Sequence, residues 1–133
     1  CRVVGVDTDG ARLEEGRQGA ERAGVSHLVE YVNADLADLP DALGITFDKA
    51  LSIHSLHEYR RPRQVLAAIH GSLAPGGLML VLDYIEGSTA EDIWSERYYT
   101  PGAIRAMLED VGFEPREALL PWGQELALVV ASR

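Results

Sequence analysis

Two histidines three residues apart, His54 and His57, are the side chains of this 133-residue chain best suited to moving a proton. An imidazole can take a hydroxyl proton near neutral pH. Both follow an apolar stretch, Phe47 to Ser52, that reads as a strand, and His54 is the stronger candidate for catalysis because it stands closer to the strand end. In the plainer reading one or both pack against or cap the helix that follows, with His57 and Glu58 as an exposed helix entrance. Three acids stand at strand ends or in a turn: Asp7 at the end of a β-branched run, Asp35 in the turn Asn33-Ala34-Asp35-Leu36, and Asp83 before Tyr84. A carboxylate only accepts hydrogen bonds and can take two donors at once. The simpler roles are a helix cap for Asp7 and an Asx turn for Asp35.

Composition narrows the ligand classes. Twelve Lys and Arg against 21 Asp and Glu give a formal net charge of −9, which repels a nucleic-acid backbone and an anionic membrane face. A small or neutral substrate fits better. The single cysteine, Cys1, allows no internal disulfide, and no apolar run approaches the ~20 residues that span a bilayer. Both facts fit a reducing cytoplasm. No Cys/His cluster has zinc-ligand spacing, and magnesium-assisted chemistry would need an acid cluster that the linear sequence does not assemble, so no metal site is expected.

The elements that must position these residues alternate along the chain, and with 47% hydrophobic and 25% charged residues one globular domain over residues 1–133 is expected. Arg2 to Val6 reads as a buried parallel strand. A helix follows, capped by Thr8 or Asp9 and closed at Ala23-Gly24-Val25. Leu28 to Asn33 is a second strand and Phe47 to Ser52 a third. Pro62 opens a helix carrying Val65, Leu66, Ile69 and Leu73, and Pro75-Gly76-Gly77 stops it before a strand from Leu78 to Asp83. Residues 84–100 are polar and aromatic with little periodicity. Thr100-Pro101 starts a helix through Val111 with Gly112 as its stop, and Glu114 to Leu120 and Glu125 to Ser132 form a hairpin around Pro121-Trp122-Gly123. This order predicts an α/β, Rossmann-like, mostly parallel sheet with helices on both faces and a C-terminal antiparallel hairpin. Ligands of such sheets bind at the carboxyl ends of the strands.

Several landmarks together resemble the class I, S-adenosylmethionine-dependent methyltransferases: Gly5-Val6-Asp7, Asn33-Ala34-Asp35-Leu36, the segment from Phe47 to Tyr59, Leu73-Ala74-Pro75-Gly76-Gly77, and Tyr98-Tyr99-Thr100-Pro101 through Val111-Gly112-Phe113. Ala74 departs from the Lys or Arg common there. The resemblance implies S-adenosyl-L-methionine as cofactor. Asp7, with Thr8 beside it, would accept the ribose hydroxyls, Asp35 would meet the adenine amino group with the Leu36 backbone against the ring, and Ser52 and Ile53 would lie beside the methyl donor. His54 would then face the acceptor, Asp83 and Tyr84 would end a strand where acceptors lie, and Trp94, Tyr98 and Tyr99 would form a lid or wall. Asp7 alone also fits a nicotinamide dehydrogenase, but that reading leaves Asp35 and the hairpin unexplained and finds no Tyr-x-x-x-Lys pair. The Asn-Pro-Pro-Tyr of amide and nucleobase methylation is absent, which leaves an O-, N- or C-methylated small molecule.

The same resemblance marks what precedes Cys1. The family's first strand and glycine-rich loop would come before this sequence, and that strand lies centrally, between those at Val3 to Val6 and Phe47 to Ser52. Its absence leaves a gap of roughly 9 to 10 Å, about two strand spacings. Three resolutions follow: residues upstream complete the sheet, the flanking strands close up and pair, or a second chain, identical or not, supplies the strand. The first is favoured, with weak or no cofactor binding by the 133 residues alone. The competing functional reading is a non-catalytic, methyltransferase-like binding or scaffold subunit.

Overall fold

The computed structural model describes residues 1–38, 44–119 and 125–133. Strand β1 (Val3–Asp7), helix α1 (Gly10–Arg22) and strand β2 (Val29–Asn33) form a first βαβ unit, with β1 and β2 parallel from Val3 opposite Val29 to Asp7 opposite Asn33. Of the two caps the sequence allowed, Asp9 is the one used: its carboxylate accepts from the Ala11 and Arg12 amides at 2.8 and 3.4 Å. Only Leu13 and Ala20 of α1 are buried, as its thin apolar stripe implies.

The second unit joins strand β3 (Phe47–Ile53) through helix α2 (Pro62–Ser72) to strand β4 (Leu73–Tyr84), again parallel. Pro62 stands at the helix start, where a missing amide hydrogen costs nothing, and Val65, Leu66 and Ile69 turn inward. The short helix α3 (Thr89–Trp94) and the longer α4 (Pro101–Asp110) follow, the latter capped by Thr100 Oγ1 on the Ala103 amide at 3.0 Å. Strands β5 (Glu114–Leu119) and β6 (Leu126–Ser132) close the chain, with β6 antiparallel to both β4 and β5. The core lies between this sheet and α2 and α4: Leu66, Met79, Ile104, Leu108 and Val129 are fully enclosed.

Three features differ from the sequence expectation. The sheet is mixed: β1–β2 and β3–β4 are parallel, β4–β6 and β6–β5 antiparallel. Pairing of β4 starts at Leu73, opposite Phe47, and the Pro75-Gly76 step bulges out before the regular ladder resumes at Leu78, with Gly76 at φ +77°. Helix α3 was not foreseen, because six residues are too few to show a period. The expected turn at Pro121-Trp122-Gly123 and the Leu39-Pro40 end of the earlier turn lie outside the described residues.

Between the two units the sheet is interrupted. β1 and β2 form one two-stranded sheet, β3-β4-β6-β5 a separate four-stranded one, and β1 does not pair with β3. The flanking strands therefore do not close up. Leu51 and Ile53 of β3 remain 68% and 52% exposed, an apolar edge strand with nothing beside it among the described residues. The units touch instead through α2 and the turn at Leu36–Asp38, with Val6, Leu36 and Ala37 packed on the core. Among the described residues no helix is long and apolar enough to cross a membrane.

The enclosed position of Leu66 sets a stability test. Leu66→Ala is expected to cost about 2–5 kcal/mol, seen as a lower urea midpoint with an unchanged slope.

Candidate functional site

Strands β3 and β4 run parallel and end side by side, and the site is built on those ends. After Ile53 the chain turns sharply at His54, whose backbone sits at φ +49° and whose amide donates to the Leu82 carbonyl at 2.8 Å. A β-region or helical φ there would carry the chain away from β4. Leu56 is then driven into the core, which fixes a single 3-10 turn, Leu56–Glu58. Beneath it the hydroxyls of Ser52, Ser55 and Tyr59 form a triangle with sides of 3.1, 3.3 and 3.4 Å.

That turn lays His57 on Asp83. The His57 amide donates to Asp83 Oδ2 at 3.1 Å, and its ring Nδ1 lies 2.9 and 3.0 Å from the two carboxylate oxygens. The Tyr84 amide donates to Asp83 Oδ1 at 2.9 Å. Asp83 is 2% exposed, and a buried carboxylate is tolerable only when donors surround it in this way. The other ring nitrogen, Nε2, lies 3.0 Å from Glu96 Oε2, and the Tyr98 hydroxyl donates to the same oxygen at 3.0 Å. A neutral imidazole has one N–H, so it can donate to Asp83 or to Glu96; donating to both requires a second proton. Burial, then the hydrogen bond and charge of Glu96, then the charge of Asp83, push the Tyr98 phenol up to about 12.

Rings close the space around this network. His54 stacks on Tyr84 at 4.7 Å, Trp94 and Tyr98 tilt against Tyr84 at 5.2 and 5.6 Å, and Tyr98 lies 4.4 Å from the His57 ring. Together with Glu58 and Glu96 they line a cavity of about 350 Å³. His54 lines it too, but its side chain is 39% exposed and its Nδ1 only reaches to 4.0 Å from Asp83. The sequence ranked His54 first by nearness to the strand end. The turn swings His57, three residues on, back over the strand, so that it and not His54 lies against Asp83. Tyr99 instead packs on the core and bridges Ile85.

His57, Glu58 and Glu96 also bring atoms able to hold a metal within 4.8 Å of one another, a grouping whose members lie up to 39 residues apart and that no local spacing could announce. Glu96 was missed for the same reason. Its only sequence signal was an acid set between Trp94 and Tyr98 in an aperiodic stretch.

The residues expected to hold a nucleoside sit at the other strand ends. Asp7 ends β1 opposite Asn33, and the Ala34 amide donates to the Asp7 carbonyl at 3.1 Å, so the Asp7 and Asp35 segments are neighbours. Each uses one carboxylate oxygen locally: Asp7 Oδ1 accepts from the Asp9 amide and Asp35 Oδ1 from the Ala37 amide, both at 2.9 Å. The second oxygen of each has no partner among the described residues, so the pair suits ligand hydroxyl and amino donors. Thr8 is exposed and Leu36 half-buried. Ser52 points its hydroxyl inward, and Ile53 is exposed at the strand end.

Comparison with known proteins identifies the family of the chain. Residues 1–81 match the family model described as a methyltransferase domain. The chain is 31% identical over 131 residues to a sterol 24-C-methyltransferase of Eremothecium gossypii, covering 86% of this chain and 34% of that protein. Among solved structures, the [4+2]-cyclase SpnF superposes with a TM-score of 0.84 at 17% identity, covering 99% of this chain and 66% of that one. The mitomycin 7-O-methyltransferase MmcR does so with a TM-score of 0.81 at 19% identity, covering 99% and 42%. The chain thus spans about a third of the sterol enzyme's length.

Tyr98 supplies a test of the buried network. Its phenol should release its proton near 12 rather than at the usual 10.0, so tyrosinate absorbance should keep rising late in an alkaline titration, and Tyr98→Phe should remove that late step. The unfolded chain gives up this proton first, so stability should fall as pH rises between those values.

Proposed function

The chain belongs to the class I, S-adenosylmethionine-dependent methyltransferase family, and on that premise we propose that the protein carrying it transfers a methyl group to a hydroxyl oxygen of a small molecule, with His57 as general base. The observation that carries this reading is the His57–Asp83 pair. A buried carboxylate 2.9 Å from Nδ1 would hold a proton there and leave Nε2 to accept one once Glu96 turns aside. Oxygen is favoured over carbon because the site is organised to remove a proton from the acceptor as it reacts.

Bound S-adenosylmethionine supplies an electrophilic methyl group on a sulfonium. Asp7 and Asp35, each with an uncommitted oxygen, would hold its ribose hydroxyls and adenine amino group, with Thr8, Leu36, Ser52 and Ile53 around them. At the acceptor, His57 Nε2 takes the hydroxyl proton and Asp83 stabilises the imidazolium that results. Glu96 now occupies the place, 3.0 Å from Nε2, that the hydroxyl must take, and its half-exposed side chain can turn aside and pass the proton to water. The ring walls of Tyr84 and Trp94 orient the acceptor, which is where most of the rate in a displacement reaction arises.

The shared fold with a cyclase is a reminder that a fold hosts many chemistries, so the assay must follow the methyl group itself. In the complete protein, His57→Ala is expected to lower kcat about 10²–10⁴-fold with a smaller effect on acceptor KM, whereas His54→Ala acts mainly on KM. Equal kcat for His57→Ala and the parent protein would remove His57 as the base. Asp7→Ala should weaken S-adenosylmethionine binding by about 1.5–3 kcal/mol in a calorimetric titration.

A further inference from the structure

The segment that carries Trp94 and Glu96 over the cavity is loosely seated. Of the six residues of α3 only Ala90 is buried, while Ile93 and Trp94 stand 68% and 52% exposed. Residues of positive φ bracket the helix, Gly87 at +80° before it and Ser95 at +56° as its C-cap. A serine stays in that region only when its surroundings hold it there, and such positions cluster where a chain switches between two arrangements. Its first residue is pinned by polar contacts alone: Thr89 donates through its amide and its hydroxyl to Glu125 Oε2 at 2.8 and 3.0 Å.

The start of α3 also spells a cap that it does not form. Ser88 and Glu91 stand as the Ser-x-x-Glu of a capping box, in which the serine hydroxyl accepts from the Glu91 amide and the Glu91 carboxylate from the serine amide. Instead the Ser88 hydroxyl is buried without a partner among the described residues. The Glu91 carboxylate is turned elsewhere, accepting from the Gly87 amide at 3.0 Å and from the Tyr98 amide at 3.5 Å. Through Tyr98 it steadies the segment that holds Glu96 against His57. A buried hydroxyl left unpaired is costly, and completing the box would remove that cost. Glu91 thus has two sets of partners and can use only one at a time.

Resting on the methyl-transfer reading, we propose that α3 is a lid with two seats, switched by Glu91. In the latched seat, seen here, Glu91 clamps the Gly87 and Tyr98 amides and Glu96 covers Nε2 of His57. In the released seat Glu91 and Ser88 close the capping box, α3 rolls about Gly87 and Ser95, Glu96 leaves His57, and Trp94 folds over the acceptor. The base is thereby kept covered until an acceptor fills the cavity, and water is shut out once the lid is down.

The test is fluorine NMR of the complete protein, labelled with 5-fluorotryptophan and saturated with S-adenosylhomocysteine. Loss of a signal in Trp94→Phe identifies Trp94. Its ring tilts against Tyr84 at 5.2 Å, so its chemical shift gauges the position of the lid. Glu96→Ala, shown folded by circular dichroism, is expected to move the populations about tenfold toward the released seat. Tyr98→Phe, which removes the hydroxyl bracing Glu96, should move them the same way by less. Adding Ser88→Ala to Glu96→Ala should return the signal toward its parent position, because the released seat then loses its cap. Superimposable Trp94 signals in the parent, Glu96→Ala and Tyr98→Phe would overturn the proposal, and so would a shift that the added Ser88→Ala leaves in place. None of these readings needs an acceptor. Trp94 moving as expected in a protein whose turnover is indifferent to His57→Ala refutes the base and leaves the lid standing. An unresponsive Trp94 with turnover that depends on His57 does the reverse.

Discussion

The site depends on one buried carboxylate. Asp83 sits in an inner strand of a hydrophobic sheet, where an unpaired charge would be prohibitive, and three groups surround it: the Tyr84 amide, the His57 amide and the His57 ring. Each donor constrains something else. The first fixes the backbone at the end of β4, the second docks the 3-10 turn after β3, and the third chooses which ring nitrogen faces the cavity. Replacing Asp83 would therefore loosen a strand end, a turn and a tautomer together, which is why the chemistry and the local fold cannot be separated here.

Around that anchor the arrangement is layered outward from dry to wet. His57 is held almost wholly inside, Tyr98 is buried against it, Glu96 straddles the surface, and Trp94 stands half in solvent. Such a gradient suits a proton that must leave an apolar reaction site and reach water. It also suits an acceptor whose reacting oxygen goes in deep while its polar remainder stays near the mouth.

Most of the scaffold was legible in the sequence because its signals are local. Asp9 and Thr100 cap helices, Pro62 and Pro101 start them, Gly112 stops one, and the apolar runs became strands within a residue or two, except that β4 begins five residues early. The acids at strand ends could be named for the same reason. Which of His54 and His57 meets Asp83 was not legible, because it turns on a positive φ at a non-glycine residue, which sequence patterns disfavour. Nor was Glu96, which meets His57 only after β4 and α3 have folded between them. The mixed character of the sheet was underestimated because β6 enters antiparallel beside β4, ahead of β5 in the sheet order.

The interruption between β1 and β3 has a dynamic consequence. The β1-α1-β2 unit shares no sheet hydrogen bond with the four-stranded sheet and is held to it by side-chain packing near Val6 and Leu36. Backbone ladders make neighbouring segments open together, whereas side-chain contacts alone do so weakly. Asp7 and Asp35 on one side and the His57–Asp83 pair on the other therefore lie on two separately opening bodies, and amide exchange in β1 and β2 should outrun that in β4 and β6. Any added strand that bridged both edges would do more than fill space. It would lock two fluctuating halves into one body and hold Asp7 and Asp35 at a fixed separation from His57 and Asp83.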